Sequence, residues 1–574
     1  MRRPSRSGLL LVFVLSASTP LAAQNLESIG KEKPFSLTGG LSFNQVFYSS
    51  AGISARRDPS TYFATGNVNL SIYGWAIPLS FSVSNHQASF TQPFNRYSLH
   101  PSWKWITAHA GYTSASFSPY TVNGHLFLGG AVDLEPQGRW KVSGLYGRLL
   151  KATPPDTTRA SPLPPSFQRM GYGLKVSYGA GRDAIDLIFF HAADVANSLE
   201  HIPDSSGVTP QENLVVGVAG AKQLFRHLVV KAEVASSALT KDRNAEKATA
   251  RNHPLASAGI LFSPRTSSSY YQALKTSLDY QREGWVIGVA WERIDPGYRT
   301  LGAYYFNNDL ENVTLNGSGG LLQGKISIAA SGGFQHDNVG NTKISTMRRL
   351  VGSLNVNYTP DEKMNLSASY SSFQTFTNIR SRFETLDALT PYDNLDTLNF
   401  TQISRNASLS GMWTLKSTRD RRRSVSLNLT WQDAADRQGD VQQDPATRFY
   451  NVNSSYSLTL APEKITLTLA FNGSINTGAL LDTRTWGPNA AIVKAFAGGK
   501  FRITLASSCN RTWSQGRNMS TVVNGRLNGA VLIGKRHNLT FSTVCVKRVI
   551  SEGAARSFSE FTGTVGYSWG FGNR

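Results

Sequence analysis

The residues of this chain that could do chemistry are thinly spread and form no catalytic pattern. Its ten histidines are scattered, and none pair at the spacing by which a helix presents two metal ligands. The only thiols are Cys509 and Cys545, too few for a structural zinc site. His336-Asp337-Asn338-Val339-Gly340 is the nearest approach to a polar cluster around a histidine, and its composition is that of a loop tip. A surface phospholipase would need a Ser–His pair with an orienting Asn, and no His-x-Ser-Asn arrangement occurs. A rim protease would need acids beside a His-Asp pair. Asp387 and Asp393 are loop acids, but no spacing singles them out. Gly319-Gly320-Leu321-Leu322-Gln323-Gly324-Lys325-Ile326 nearly spells a phosphate-binding loop, yet Ile326 stands where a hydroxyl should hold magnesium. No helix follows it, so it is a strand end and a turn. The expectation is a protein that is not an enzyme and carries no cofactor and no metal.

The elements that must position these residues are strands. From about Phe35 to Phe571, apolar and polar residues trade places in runs of roughly ten. Ser424-Val425-Ser426-Leu427-Asn428-Leu429-Thr430-Trp431 and Ile465-Thr466-Leu467-Thr468-Leu469-Ala470-Phe471 are the clearest. A soluble sandwich also alternates, but one rarely exceeds ~250 residues. A transmembrane barrel sustains the pattern longer, with lipid against one face and water or packed polar groups against the other. A mean hydropathy of −0.25 suits a barrel, since only every second strand residue meets lipid. The soluble alternative, a secreted multidomain β protein, needs linkers, and no Pro/Ser/Gly stretch divides the chain. The Pro-rich run Thr153 to Pro165 lies between like strands and is one long loop.

The N-terminus has the form of a cleaved secretory signal, residues 1–23. Arg2, Arg3 and Arg6 precede an apolar run from Gly8 to Ala17, and Leu21-Ala22-Ala23 offers a small residue at the cut. No Cys follows the cut, so no lipoprotein anchor is expected, and no other segment approaches the ~20 apolar residues of a membrane helix. A short periplasmic segment, 24–33, then leads into a barrel over 34–571 and a tail, 572–574. The net charge of +21 becomes +18 without the signal arginines. No basic cluster is interleaved with aromatics, so nucleic acid is not the expected partner. Phosphate-rich lipopolysaccharide and phospholipid headgroups are. By alternation both cysteines face lipid, on strands that are not neighbours, as free thiols.

Tight turns are expected near Tyr73-Gly74, His100-Pro101, Pro136-Gln137-Gly138, Gly181-Arg182-Asp183, Lys222-Gln223 and Gln281-Arg282-Glu283-Gly284. Six more follow at Gln323-Gly324, Pro360-Asp361-Glu362, Ser417-Thr418-Arg419, Pro462-Glu463, Gly498-Gly499 and Gly534-Lys535-Arg536. Twelve turns with an opening and a closing arm give an all-β fold: one antiparallel transmembrane barrel of about 26 strands, within a range of about 22 to 26. The largest intervening loops are about Leu150–Arg169, Leu239–Ser269 and Thr375–Thr397, and the first two are long enough to fold inward. Short turns face the periplasm in bacterial barrels and long loops face outside. Trp75, Trp103, Trp140, Trp285 and Trp413 lie close to tight turns, as an interfacial girdle requires. Core tryptophans of a soluble domain would sit mid-strand as often. The turns also carry Arg139, Arg182, Arg282, Lys363, Lys464 and Lys535. A solvated rim touching lipid phosphates is the plainer reading of this basic ring, and a docking surface for an acidic periplasmic or lipoprotein partner is the sharper one.

Gly563, Val565, Tyr567, Trp569 and Phe571 alternate in the last strand. They resemble the terminal strand by which the barrel-assembly machinery recognises outer-membrane proteins, although this chain continues to Gly572-Asn573-Arg574. The stretch Tyr97-Ser98-Leu99-His100-Pro101-Ser102-Trp103-Lys104-Trp105, with Gly111-Tyr112 and Phe117-Ser118-Pro119-Tyr120, carries a wider likeness. Through it the chain resembles the large plug-less outer-membrane barrels of Bacteroidetes-type bacteria, which implies a location and a fold but no substrate. The first strand begins about ten residues after the expected cut, leaving no room for the plug of a TonB-dependent transporter.

The remaining signal is the inner wall. Alternation points Lys175, Lys231, Lys275, Arg502 and Arg526 inward, with Glu233, Asp279 and Glu292. In an open channel these charges bias passage toward anions. In a closed barrel, Lys231–Glu233 and Lys275–Asp279 would be internal ion pairs. A cylinder of this girth is too wide for side chains alone to fill. The expected function is passive or gated solute passage across the outer membrane through a basic lumen. The alternative is a non-transporting subunit of an outer-membrane secretion or assembly complex.

Overall fold

The computed structural model describes residues 35–73, 75–85, 95–155, 165–199, 207–248, 254–257, 261–341, 348–372, 375–378, 400–434, 437–438, 441–442, 447–478, 482–552 and 556–572. The signal segment, residues 24–33, Gly74 of the first turn, Asp387, Asp393, and the tail residues Asn573 and Arg574 lie outside these. One antiparallel sheet of 28 hydrogen-bonded segments runs through the chain. Two wall strands are each split in two, Arg96–Leu99 with Ser102–Trp103 and Met364–Ser371 with Thr375–Asn378, which leaves the expected 26. The first strand, Phe35–Ala51, pairs with Ser60–Ile72 on one side and with the last, Phe558–Phe571, on the other. The wall is therefore closed and has no free edge. Among the described residues the only helical pieces are short 3-10 turns, and none is long and apolar enough to cross a membrane.

All wall strands connect by tight turns at one end, and the longer connections lie at the other. Ten of the twelve expected turns fall where the sequence puts them. Two slip. The His100-Pro101 turn is a break within a wall strand, and the reversal comes at Lys104-Trp105, where Lys104 has φ 53°. Lys222 and Gln223 belong to the strand Glu212–Phe225, and the turn is Arg226-His227. One connection at the loop end, Gln515-Gly516, is itself a tight turn.

Alternation resolves into two faces. Outward stand Leu187, Ile287, Leu315, Leu469 and Leu505, each more than half exposed. An aromatic belt borders this band at the turn end. Trp75 stacks on Trp103 at 5.3 Å, Trp140 lies 4.8 Å from Tyr178, and Trp569 lies 4.9 Å from Phe571. Cys509 and Cys545 also face outward as free thiols, separated by the strand Arg517–Ile533. The largest buried apolar cluster is inside the cylinder, where connecting segments fold against the inner wall.

Candidate functional site: a lumen filled on one side

Two connections turn into the lumen from the loop end. One is 117–122, between the strands Ile106–Ser116 and Asn123–Leu134. The other is 295–309, between Trp285–Ile294 and Leu310–Leu321. Both are unlike water-facing loops in composition. The first reads Phe117-Ser118-Pro119-Tyr120-Thr121-Val122, and the second includes Tyr298, Leu301, Tyr304, Tyr305 and Phe306. Tyr120, Val122, Tyr298 and Leu301 are each at most 2% exposed, packed with Phe127, Ile188, Phe190 and Val215 of the inner wall. Each such side chain contributes about 1.5–3 kcal/mol by leaving water.

Hydrogen bonds fix the two segments to one another. Val122 and Gly302 form a parallel bridge, with Asn123 N donating to Gly302 O at 3.0 Å. Tyr298 Oη donates to Tyr120 O at 2.8 Å, and Thr300 Oγ1 to Thr121 O at 2.6 Å. Other bonds fix them to the wall. Tyr120 Oη donates to Glu292, Lys175 Nζ to Phe117 O at 3.3 Å, Ser237 Oγ to Arg299 O at 2.7 Å, and Leu301 N to Asn213 Oδ1 at 3.0 Å. Burial, then the Glu292 charge, raises the Tyr120 hydroxyl well above the usual phenol range. Burial, then Glu233, does the same for Tyr298. Both therefore stay protonated donors.

The two loops long enough to fold inward are described only in part. Of Leu150–Arg169, the described ends pair at Thr153 and Ser166, and 156–164 lie outside the described residues. The described part of Leu239–Ser269 folds over the outer surface. Phe262 is buried there against Leu214 and Ala238, which share the outward face of their strands.

All eight expected lumen residues point inward, but they are not one basic lining. Lys175 pairs with Asp186 at 2.9 Å, Lys231 with Asp279 at 2.8 Å and Lys275 with Glu292 at 3.9 Å. The expected pairings Lys231–Glu233 and Lys275–Asp279 are thus corrected. Residues two or four apart on one strand lie one above the other, whereas cross-strand neighbours stand closer. Lys231 reaches diagonally across the wall to Asp279, and Lys275 stands directly opposite both Glu233 and Glu292. Arg502 and Arg526 sit on the far side and make no ion pair or hydrogen bond among the described residues. Around them the inner wall is small and polar. Hydroxyls pair across strands at Ser369–Ser408 (2.6 Å), Ser426–Ser455 (2.7 Å) and Thr485–Thr512 (2.9 Å).

Sequence reading missed one inner cluster. His100 Nδ1 lies 2.7 Å from His109 Nδ1, and His109 Nε2 lies 2.9 Å from Asp133. Neither this cluster nor any other group of three His, Cys, Asp or Glu side chains among the described residues is placed to hold a metal ion. At the turn end, Arg139, Arg182, Arg282, Lys363, Lys464 and Lys535 are all exposed, interleaved with acids such as Glu135, Glu283, Asp361 and Glu463. The last strand's Gly563, Val565, Tyr567, Trp569 and Phe571 line the closing seam, with Phe571 opposite Gly39 and Trp569 opposite Leu41.

No known family and no curated protein matches the chain. Among solved structures it is similar to the P pilus usher (PapC) translocation pore, at 10% identity over 93% of this chain and 99% of that one, with a TM-score of 0.39. It is similar to the FrpB iron transporter (F3-3 variant) of Neisseria meningitidis at 11% identity over 96% and 83%, TM-score 0.36. OccAB2 of Acinetobacter baumannii aligns at 8% identity over 68% and 100%, TM-score 0.28.

Proposed function

We propose that this barrel spans an outer membrane and passes solutes through the part of its lumen that the inward segments leave free. The observation that carries the reading is the split lumen. One side is filled by 117–122 and 295–309, which are seated on the wall, and the other is lined by hydroxyls and the unpaired Arg502 and Arg526. The outward apolar band with its aromatic belt supports the membrane location, because such a surface is stable only against lipid. The tight turns then face the periplasm, and the final strand is what the barrel-assembly machinery would read. Basic character in the lumen rests on the two arginines, since Lys175, Lys231 and Lys275 are neutralised by their partners. Such a lining favours anions.

Single-channel recording of the refolded protein in a planar bilayer with a salt gradient tests this. Steady openings with anion preference are expected. A fully folded but silent barrel would overturn the channel reading. Co-migration with a periplasmic protein on native gels would then move it to a subunit of a secretion or assembly complex.

A further inference from the structure

The outward face is not uniformly apolar, and its charges differ around the barrel. On the side that holds the lumen segments, outward charges near the loop end neutralise one another. His191 meets Glu212 at 3.1 Å and Arg243 meets Glu212 at 3.6 Å, while Glu311 takes His336 at 3.6 Å and Arg293 at 4.0 Å. On the opposite side, Arg484, Arg511 and Lys547 stand outward and exposed, with no ion pair or hydrogen bond among the described residues. They share the outward face with Ile492, Leu505 and Val523. They also form a diagonal. Arg511 is opposite Trp486, two residues along the strand from Arg484, and Lys547 is opposite Val523, the partner of Cys509. All three lie within four residues of the loop end of their strands, so about 13 Å or less from it. Of the nearby loop-end acids, Glu552 is engaged by Arg517 at 2.6 Å and Glu560 by Tyr48 and Arg56, while the exposed Asp482, two residues before Arg484, makes no ion pair among the described residues.

Beside Lys547 the outward surface hollows into an apolar groove of about 490 Å³ between Val523, Cys545 and Phe561, opened by the small residues Gly525 and Ser559. Lys547 lines this groove, and Arg511 and Arg484 extend the line of cations away from it across the neighbouring strands. Three cations with no partner among the described residues, running up to an apolar groove on a surface facing acyl chains, match an anionic headgroup that carries a hydrocarbon tail. We infer that Arg484, Arg511 and Lys547 bind the phosphorylated headgroup of an outer-leaflet glycolipid, with one acyl chain lying in the Val523–Cys545–Phe561 groove. The inference rests on the proposed membrane location and on long loops facing outside. Cations at this depth meet phosphate directly, and their attraction to it is little screened beside hydrocarbon.

Native mass spectrometry of the full chain in detergent tests it, with bis-phosphorylated lipid A, its dephosphorylated form and phosphatidylglycerol as probes. Retention of bis-phosphorylated lipid A should fall about 100-fold in R484Q/R511Q/K547Q and about fivefold in R511Q alone. It should fall on dephosphorylation and be unchanged in the lumen variant R502Q/R526Q. C545W, which fills the groove, should weaken retention while leaving the cations in place, and with R511Q it carries the test if the triple variant does not fold. Equal retention by the cation variants and wild type, or equal retention of phosphatidylglycerol and lipid A, would overturn the inference. Conductance separates the two readings. A cation variant that loses lipid A but conducts as wild type supports the site, and a silent wild type that retains lipid A counts against the channel alone.

Discussion

Lys231 and Arg502 both point into the lumen, and their surroundings give them opposite consequences. Lys231 is held at 2.8 Å by Asp279, so the pair presents little net field. Arg502 has no partner among the described residues and presents a full positive charge. Replacing Arg502 and Arg526 by Gln should shift the reversal potential in a salt gradient away from anion preference. Lys231→Gln should do the same by another route, since it leaves the Asp279 carboxylate uncompensated in the lumen. The discriminating variant is Lys231→Gln with Asp279→Asn. It should restore the wild-type reversal potential, and failure to do so would show that the pair is not neutral. Sequence alternation puts all eight lumen residues on the correct face, because one strand's phase decides it. It cannot assign partners, because the neighbour of a wall residue depends on cross-strand register, which only the closed sheet defines.

Among the elements, the wall strands are legible in the sequence and the lumen segments are not. Alternation holds over ten or more residues, and Gly and Asx-rich turns punctuate it, so the turns at Gln323-Gly324 and Gly498-Gly499 stand out. The two misplaced turns have physical reasons. Pro101 suggests a reversal, but its missing N–H needs only a break in the ladder, and Pro101 O still accepts Ala108 N at 2.9 Å. Arg226-His227 has no Gly or Pro to announce it. Where a loop goes is a tertiary matter that length alone does not decide: the described part of Leu239–Ser269 lies on the outer surface, and 156–164 of the other long loop fall outside the described residues. The better signal is the aromatic density of Phe117, Tyr120, Tyr298 and Phe306, which all pack in the inner cluster and would be poorly placed on a wet rim. The seat of these segments depends on close approach at Gly302, where a Cβ would lie 2.6 Å from Thr121 O and 3.0 Å from the Phe190 ring. Gly302→Val should therefore cost about 1–3 kcal/mol by overpacking and part the two segments. Single-channel current should rise or flicker while the barrel still migrates as folded on unheated gels. Tyr120→Phe removes only the bond to Glu292, about 1–2 kcal/mol, and should give the same change more weakly. Unaltered conductance in both would mean that the segments do not limit passage.

At the scale of the whole molecule, stability is set by closure. Each strand is marginal without two neighbours, and the first strand finds its second neighbour 25 strands later in Phe558–Phe571. Forming that seam means closing nearly the full chain, an entropic cost that grows only slowly with length. Once formed, it leaves no edge to pair with another molecule. The seam has little room for adjustment at Gly39, where a Cβ would stand 2.3 Å from Asn67 O and 3.0 Å from the Phe571 ring. Gly332 faces outward in mid-wall, far from the seam, and a Cβ there meets nothing within 4 Å. Gly39→Val should lower the folded fraction on refolding, with a cost of about 1–3 kcal/mol, whereas Gly332→Val adds apolar surface where lipid is expected and should leave it unchanged. The measurement is the fraction that migrates faster on unheated gels after refolding into detergent. Equal fractions for the two variants would mean that the seam is no weaker than the rest of the wall, and that closure is not the step on which this fold depends.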